Sequence, residues 1–152
     1  MPALAAAFGE RWRQDEPLAA HTTLRLGGPA DLWLPVERGE ELVTAVQLAR
    51  QHQVPFFLLG SGANLLVSDA GIRGLVVENR AGQVDFPAPG GEPDEVIVLT
   101  AASGVALPSL ARRCAGRGLA GLEWAVGVPG TIGGAVVNNA GAYGSDMAGN
   151  LA

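Results

Sequence analysis

A single cysteine, Cys114, stands in the 152 residues. No disulfide can form within the chain, and a lone thiol fits a reducing cytosol. His21 and His52 are the only histidines, which leaves no spacing for structural zinc or another metal site. Basic residues are also sparse: ten Lys and Arg against fifteen Asp and Glu, a net charge of −5, and no basic run longer than Arg112–Arg113. Displacing counterions from a nucleic acid needs a basic stripe, so that class of partner is excluded. The opening Met-Pro-Ala-Leu-Ala-Ala-Ala-Phe has no basic n-region and runs straight into Glu10 and Arg11, so no signal peptide is expected. The weakly apolar stretch 118–144 carries Glu123, Pro129 and paired Asn138–Asn139, which are costly and helix-breaking in lipid. A soluble, cytoplasmic chain without a membrane span is expected.

Glycine, by contrast, is abundant. There are 22 in 152 residues, roughly twice the ordinary usage of about 7%. They cluster at 60–74 and 116–149, which marks special backbone geometry and not a linker. Apolar residues make up 48% of the chain, enough for a core of one compact domain or one and a half small ones.

Residues 1–20 read as a short helix or an irregular arm. Asp31-Leu-Trp-Leu-Pro-Val36 alternates around Leu32, Leu34 and Val36 and reads as a strand, with Pro35 near an edge or its end. Glu40 to Gln53 has Leu42, Val46 and Ala49 at helical spacing, with Glu40 and Glu41 where the helix dipole favours acids, and Pro55 stops it. Phe56-Phe-Leu-Leu59 is a short apolar run suited to a buried strand. Strand, helix and strand make a βαβ unit whose two strands should be parallel. A turn at 69–71 and a strand at Leu75-Val-Val-Glu78 follow. Prolines and glycines at 81–95 predict a surface loop, Val96–Thr100 a strand, and Pro108–Arg117 a helix with Gly118 just past its end. Beyond Gly118 the helical period is lost.

Two glycine-rich segments are candidate sites. Gly60-Ser-Gly-Ala-Asn64 can turn successive backbone N–H groups into one concavity, as loops that hold pyrophosphate do. It is neither a P-loop, since no lysine lies in or beside it, nor a dinucleotide fingerprint opening a helix, since Leu65-Leu-Val67 continues extended. On spacing alone a ligand-free glycine turn suits it equally. From Gly118 to Gly144, small residues with Thr131, Asn138 and Asn139 suit a mostly apolar cofactor pocket, but equally suit close helix-on-sheet packing.

The order of motifs is more specific. Thr22-Thr-Leu-Arg-Leu-Gly-Gly-Pro-Ala30, Leu-Gly-Ser-Gly-Ala-Asn-Leu-Leu-Val67, Gly-Leu-Glu123, Gly-Val-Pro-Gly-Thr-Ile-Gly-Gly-Ala135 and Asn-Ala-Gly-Ala-Tyr-Gly144 together resemble the UDP-N-acetylenolpyruvoylglucosamine reductase family over roughly residues 18–147. The resemblance implies an α+β, PCMH-type FAD-binding fold of two lobes with FAD between them, of the vanillyl-alcohol-oxidase kind. Residues 1–80 would be the first lobe, 81–95 a loop and 96–152 the first part of an incomplete second lobe, with the substrate domain absent. Gly60, Ser61, Gly62, Ala63 and Asn64 would take the FAD pyrophosphate, and Leu65 beside them would also touch the cofactor. Val128, Gly130, Thr131, Gly133, Gly134, Asn138, Ala140 and Gly141 would lie along the flavin and ribityl chain. The family usually reads Gly-Ser-Asn where this chain has Gly62-Ala63-Asn64, so weaker FAD binding is implied.

The family's chemistry implies NADPH as reductant and a UDP-sugar enolpyruvyl ether as substrate, in peptidoglycan synthesis. An electrophile must face the substrate carboxylate and a proton donor must face the carbon beside it. The family supplies an arginine, a serine and a glutamate for this, all downstream of Gly144 and expected beyond Ala152, so no catalytic residue is assigned. The abrupt end at Gly149-Asn-Leu-Ala152 is expected of a fragment, itself inactive; the alternative is a flavin-binding module without reductase activity. Other residues read as structural: Glu123 as a hydrogen-bonding anchor, Tyr143 as a packed ring that could line a pocket, Arg25 as a solvated side chain beside a turn, His21 and His52 as surface residues, and Cys114 as buried filling.

Overall fold

The computed structural model describes residues 2–87 and 96–152. The chain divides into two units, Met1–Ala81 and Gly82–Ala152.

The first unit is a four-stranded sheet in the order β1-β2-β4-β3, built from β1 (Arg13–Pro17), β2 (Pro29–Val36), β3 (Phe56–Leu59) and β4 (Ile72–Asn79). Helices α1 (Pro2–Phe8) and α2 (Gly39–Gln51) complete it. The expected βαβ unit is present, and β2 and β3 are parallel. They do not pair with each other, because β4 inserts between them and runs parallel to both. Both faces of the sheet are covered, which is why β3 and β4 read as continuous apolar runs and not as alternation. One face carries Leu32, Leu34, Val36, Leu75 and Val77 against Ala45 and Ala49 of α2 and Leu4 and Phe8 of α1. The other carries Ala30, Trp33, Leu59 and Val76 with Leu18 and Val67. A bulge lets Ala30 change face: the register jumps from Ala30↔Ile72 to Leu32↔Leu75. Gly74, at φ +96, takes the extra residue, and its N–H donates to Asp31 Oδ2 at 2.8 Å.

Several boundaries differ from the sequence reading. β1 adds a charged strand, Arg-Gln-Asp-Glu-Pro, where an arm was expected; it pairs antiparallel with β2 from Arg13↔Trp33 to Pro17↔Pro29. β1 pairs with β2 only as far as Trp33, so Pro35, next to the end of β2, pairs with β4 alone. α2 begins with Glu40 and Glu41 in its first turn, and Glu41 Oε2 reaches back to accept the Glu37 N–H at 2.9 Å. It ends at Gln51, earlier than Pro55 alone would require, because Gln53 turns left-handed at φ 54 and the Val54 N–H closes onto Ala49 O at 2.8 Å.

In the second unit, α3 (Leu107–Ala115) carries a buried stripe of Leu107, Leu110, Ala111 and Cys114. It packs on a 3₁₀ turn at Glu123–Gly127 and on α4 (Ile132–Val137), around Trp124, Ala125, Ala135 and Met147. Two small antiparallel pairs complete it: β5 (Val84–Asp85) with β6 (Thr100–Ala101), and β7 (Gly141–Ala142) with β8 (Ser145–Asp146). The strand expected at 96–100 is therefore reduced to Thr100–Ala101. Continuing its register would set residue 98 opposite Pro87, which has no N–H to donate. The loop expected at 81–95 contains β5, and its remainder, 88–95, lies outside the described residues. α4 is a helix where none was expected. No helix among the described residues is long and apolar enough to cross a membrane.

Candidate functional site

In the first unit, the chain leaving β3 enters the glycine loop 60–65, and the 22–28 segment forms its seat. Gly62 takes φ +63, and a Cβ there would stand 2.2 Å from His21 O and 2.8 Å from Thr22 Cα. Only glycine fits this approach. The Thr23 N–H donates to Gly62 O at 3.1 Å, and the Gly28 N–H donates to Ser68 O at 2.9 Å. Thr22 is buried, and its hydroxyl closes the seat onto Leu26 O at 2.8 Å. Leu65 and Val67 then pack back into the core beneath.

This seating consumes carbonyl groups, not donors. Among the described residues, the backbone N–H groups of Ser61, Gly62, Ala63, Asn64 and Leu65 donate no hydrogen bond within the chain. A run of unspent N–H groups on a turn at positive φ, with Ser61 and Asn64 exposed, is the donor set an oxyanion requires. The loop thus offers donors and no acidic side chain to an anion. Arg25 is exposed at φ 54 beside the seat, as the sequence suggested.

His21 overturns its expectation as a surface residue. Its side chain is only 10% exposed, because Nε2 lies 3.0 Å from Glu16 Oε1, Nδ1 lies 2.8 Å from Glu78 Oε2, and the ring rests 4.6 Å from that of Trp33. His52 is exposed.

In the second unit, the segment 128–141 is strapped down at its start and its end. The Ile132 N–H donates to Val105 O and the Gly133 N–H to Ser103 O, both at 2.8 Å, while Gly130 O accepts the Leu107 N–H at 3.0 Å. Thr131 caps α4, its hydroxyl accepting the Gly134 N–H at 3.4 Å. Asn138 closes the other end, its amide donating to Gly134 O at 2.8 Å. Asn139 is engaged at both ends of its amide, donating to Asp146 Oδ2 at 3.1 Å and accepting the Ala148 N–H at 2.9 Å. Thr131 and both asparagines, read as orienting groups, thus also hold the backbone in shape. Val128 and Ala140 are half-buried against the local core, and Gly134 and Gly141 are exposed. The Asp146 carboxyl lies below its ordinary range, chiefly because it accepts the Gly149 N–H and then the Asn139 amide.

Next to this segment lies an open concavity of ≈ 360 Å³ lined by Gly121, Glu123, Trp124, Tyr143 and Ser145. Glu123 acts as the expected anchor, accepting the Gly121 N–H at 2.8 Å. Tyr143 is not a packed ring: it is 93% exposed at φ 55. Trp124 was not singled out by sequence, yet its buried indole N–H has no partner among the described residues. Cys114 is buried as expected, and burial pushes its thiol up against the opposing pull of Arg117 and Arg113.

A family described as FAD binding domain matches residues 31–152. The UDP-N-acetylenolpyruvoylglucosamine reductase of Rubrobacter xylanophilus is 49% identical over 134 residues, covering 88% of this chain and 43% of that protein. The protein of the same name from Bacillus velezensis is 43% identical over 134 residues, covering 88% and 42%. Among solved structures, UDP-N-acetylenolpyruvylglucosamine reductase from Thermus caldophilus matches with TM-score 0.66 and 32% identity over 90% of this chain and 46% of that one. A solvent-stable cholesterol oxidase shares the fold, with TM-score 0.64 at 17% identity over 86% of this chain and 24% of its own. The α+β, PCMH-type architecture is borne out. The chain spans less than half the length of the reductases it matches. It belongs to the FAD binding domain family and, within it, is similar to the UDP-N-acetylenolpyruvoylglucosamine reductases.

Proposed function

We propose that this chain is the FAD-holding part of a reductase that uses NADPH to convert UDP-N-acetylenolpyruvoylglucosamine into UDP-N-acetylmuramate for peptidoglycan. The observation that carries the reading is the loop at 60–65, whose N–H groups from Ser61 to Leu65 are unspent while Gly62 is locked onto His21 and Thr22. Residues 1–80 are taken as the first FAD-binding lobe and 96–152 as part of the second. In this reading Ser61, Gly62, Ala63, Asn64 and Leu65 donate to the pyrophosphate oxygens, and Gly60 gives the turn its entry.

In the second unit, Val128, Gly130, Thr131, Gly133, Gly134, Asn138, Ala140 and Gly141 border the flavin and ribityl chain. The straps to Ser103 and Val105 support this by holding that backbone in one shape, with no large side chain on Gly130, Gly133, Gly134 or Gly141 to bar a flat ring. When bound, the flavin supplies a ring able to accept and pass on hydride. The chain's part is to seat and orient it. A buried lone thiol at Cys114 supports a cytoplasmic setting.

Retention of flavin tests the reading. Purified chain incubated with FAD and then desalted should keep absorption bands near ~370 and ~450 nm. A folded protein that emerges colourless contradicts it. Ala63→Ser restores the hydroxyl usual at that position and should tighten FAD up to about tenfold, the scale of one hydrogen bond.

A further inference from the structure

His21 lies at the centre of a cluster of charged and aromatic groups drawn from three strands. Glu16 comes from β1, Glu78 from β4 and Trp33 from β2, and the imidazole binds all three strands at once. The two acids are held in turn: Arg13 lies 3.2 Å from Glu16 Oε1, Arg80 Nε lies 2.8 Å from Glu78 Oε1, and Trp33 Nε1 donates to Glu78 Oε2 at 3.0 Å. The same residue's backbone meets the glycine loop. His21 O is the nearest atom to a Cβ at Gly62, and the next two residues supply Thr22 Cα and the N–H that bonds Gly62 O. Glu78 pairs in register with Leu59, the residue that launches the loop.

We infer that His21 is a positioning residue for the nucleotide loop, a bolt whose side chain is fixed by Glu16 and Glu78 and whose backbone braces the crest at Gly62. The loop is thereby tied to one side chain at its start, through Glu78 and Leu59, and at its middle, through Thr23. The N–H concavity is shaped before any ligand arrives, so binding need not order it. This rests on the flavin reading for its purpose, but the brace itself is a property of the ligand-free chain.

The test uses the whole chain without ligand and reads amide exchange by NMR. His21→Phe keeps a ring against Trp33 and removes the hydrogen bond with Glu16 and the close Nδ1 contact with Glu78. Exchange at the Thr23 amide should rise at least tenfold, and by clearly more than at Val76 and Val77 in β4, and the dissociation constant for FAD should rise at least tenfold. His21→Asn can still donate toward Glu78 and should recover part of both losses. Unchanged Thr23 protection, an equal rise in β4, or no recovery in His21→Asn overturns the inference. If His21→Phe does not fold, Glu78→Leu, which leaves no acceptor for the imidazole at that position, carries the same comparison: exchange raised more at Thr23 than in β4 supports the bolt, and no change overturns it. A wild-type chain that ignores FAD would remove the flavin reading alone, because the exchange comparison still decides the brace.

Discussion

Replacing Gly62 by alanine asks what one methyl group does at the seat of the loop, and Gly9 provides a matched control. The two glycines share the same backbone, φ +63 and φ +62, and lie in the same unit. A Cβ at Gly9 meets nothing within 4 Å, whereas at Gly62 it meets His21 O at 2.2 Å and Thr22 Cα at 2.8 Å. Left-handed strain alone costs alanine about 1 kcal/mol at either site. At Gly62 the loop must also retreat by about 1 Å to reach ordinary contact. That breaks the 3.1 Å bond from the Thr23 N–H to Gly62 O, worth about 1 kcal/mol, and leaves groups unsatisfied at a further ~1 kcal/mol. Gly9→Ala should therefore lose about 1 kcal/mol and Gly62→Ala about 3 kcal/mol. Amide exchange at Val76 and Val77, both fully buried in β4, reads the stability of the unit. FAD affinity should follow: little changed in Gly9→Ala and roughly thirtyfold weaker in Gly62→Ala, the scale of its additional ~2 kcal/mol. Equal losses of stability and affinity in the two variants would show that the close approach at Gly62 does not shape the loop.

Other outcomes follow from the same geometry. The Glu41 carboxyl is held down to about 2, first by the hydrogen bond from Arg11 and then by the Glu37 N–H. A depressed acid stabilises the fold above its ordinary value of 4.5 and loses that contribution as pH falls toward 2. Because Arg11 is 40% exposed, Glu41→Gln should cost no more than about 1 kcal/mol near neutrality. In urea titrations the gap from wild type should close toward pH 2; a gap that widens in acid contradicts the assignment. Cys114, buried and with its thiol pushed up by desolvation, should resist a thiol reagent in the folded chain and react at once in urea. Trp124→Phe removes a buried N–H that has no partner among the described residues, so it should be neutral or stabilising by up to about 1 kcal/mol. A loss of several kcal/mol would show that the indole nitrogen is bonded.

What was legible in the sequence was whatever short-range pattern encodes. The alternation of Leu32, Leu34 and Val36, the acids opening α2, and the apolar run Phe56–Leu59 gave the βαβ unit, because each signal is local to its own element. β1 was missed because Arg13-Gln-Asp-Glu-Pro17 is an edge strand whose exposed side chains carry no apolar period. α4 was missed because Ile132-Gly-Gly-Ala-Val-Val137 has little helix propensity. It is held by the Thr131 cap and the straps to Ser103 and Val105, which are distant in sequence. His21 was misread for the same reason. Glu78, which half-encloses it, arrives from another strand, and nothing beside His21 announces that neighbour. The glycine loop itself was visible, but its seat on Thr22 and Thr23 was not, because close backbone approach leaves only a glycine as its trace.

If the N–H groups of Ser61 to Leu65 hold a pyrophosphate, equilibrium dialysis of the folded chain against FAD and against riboflavin will separate the two ligands. The two ligands share the ring system, and only FAD carries the diphosphate. FAD should bind at least a hundredfold more tightly than riboflavin. Equal affinity for both, or no affinity for either by a chain shown to be folded, would contradict it.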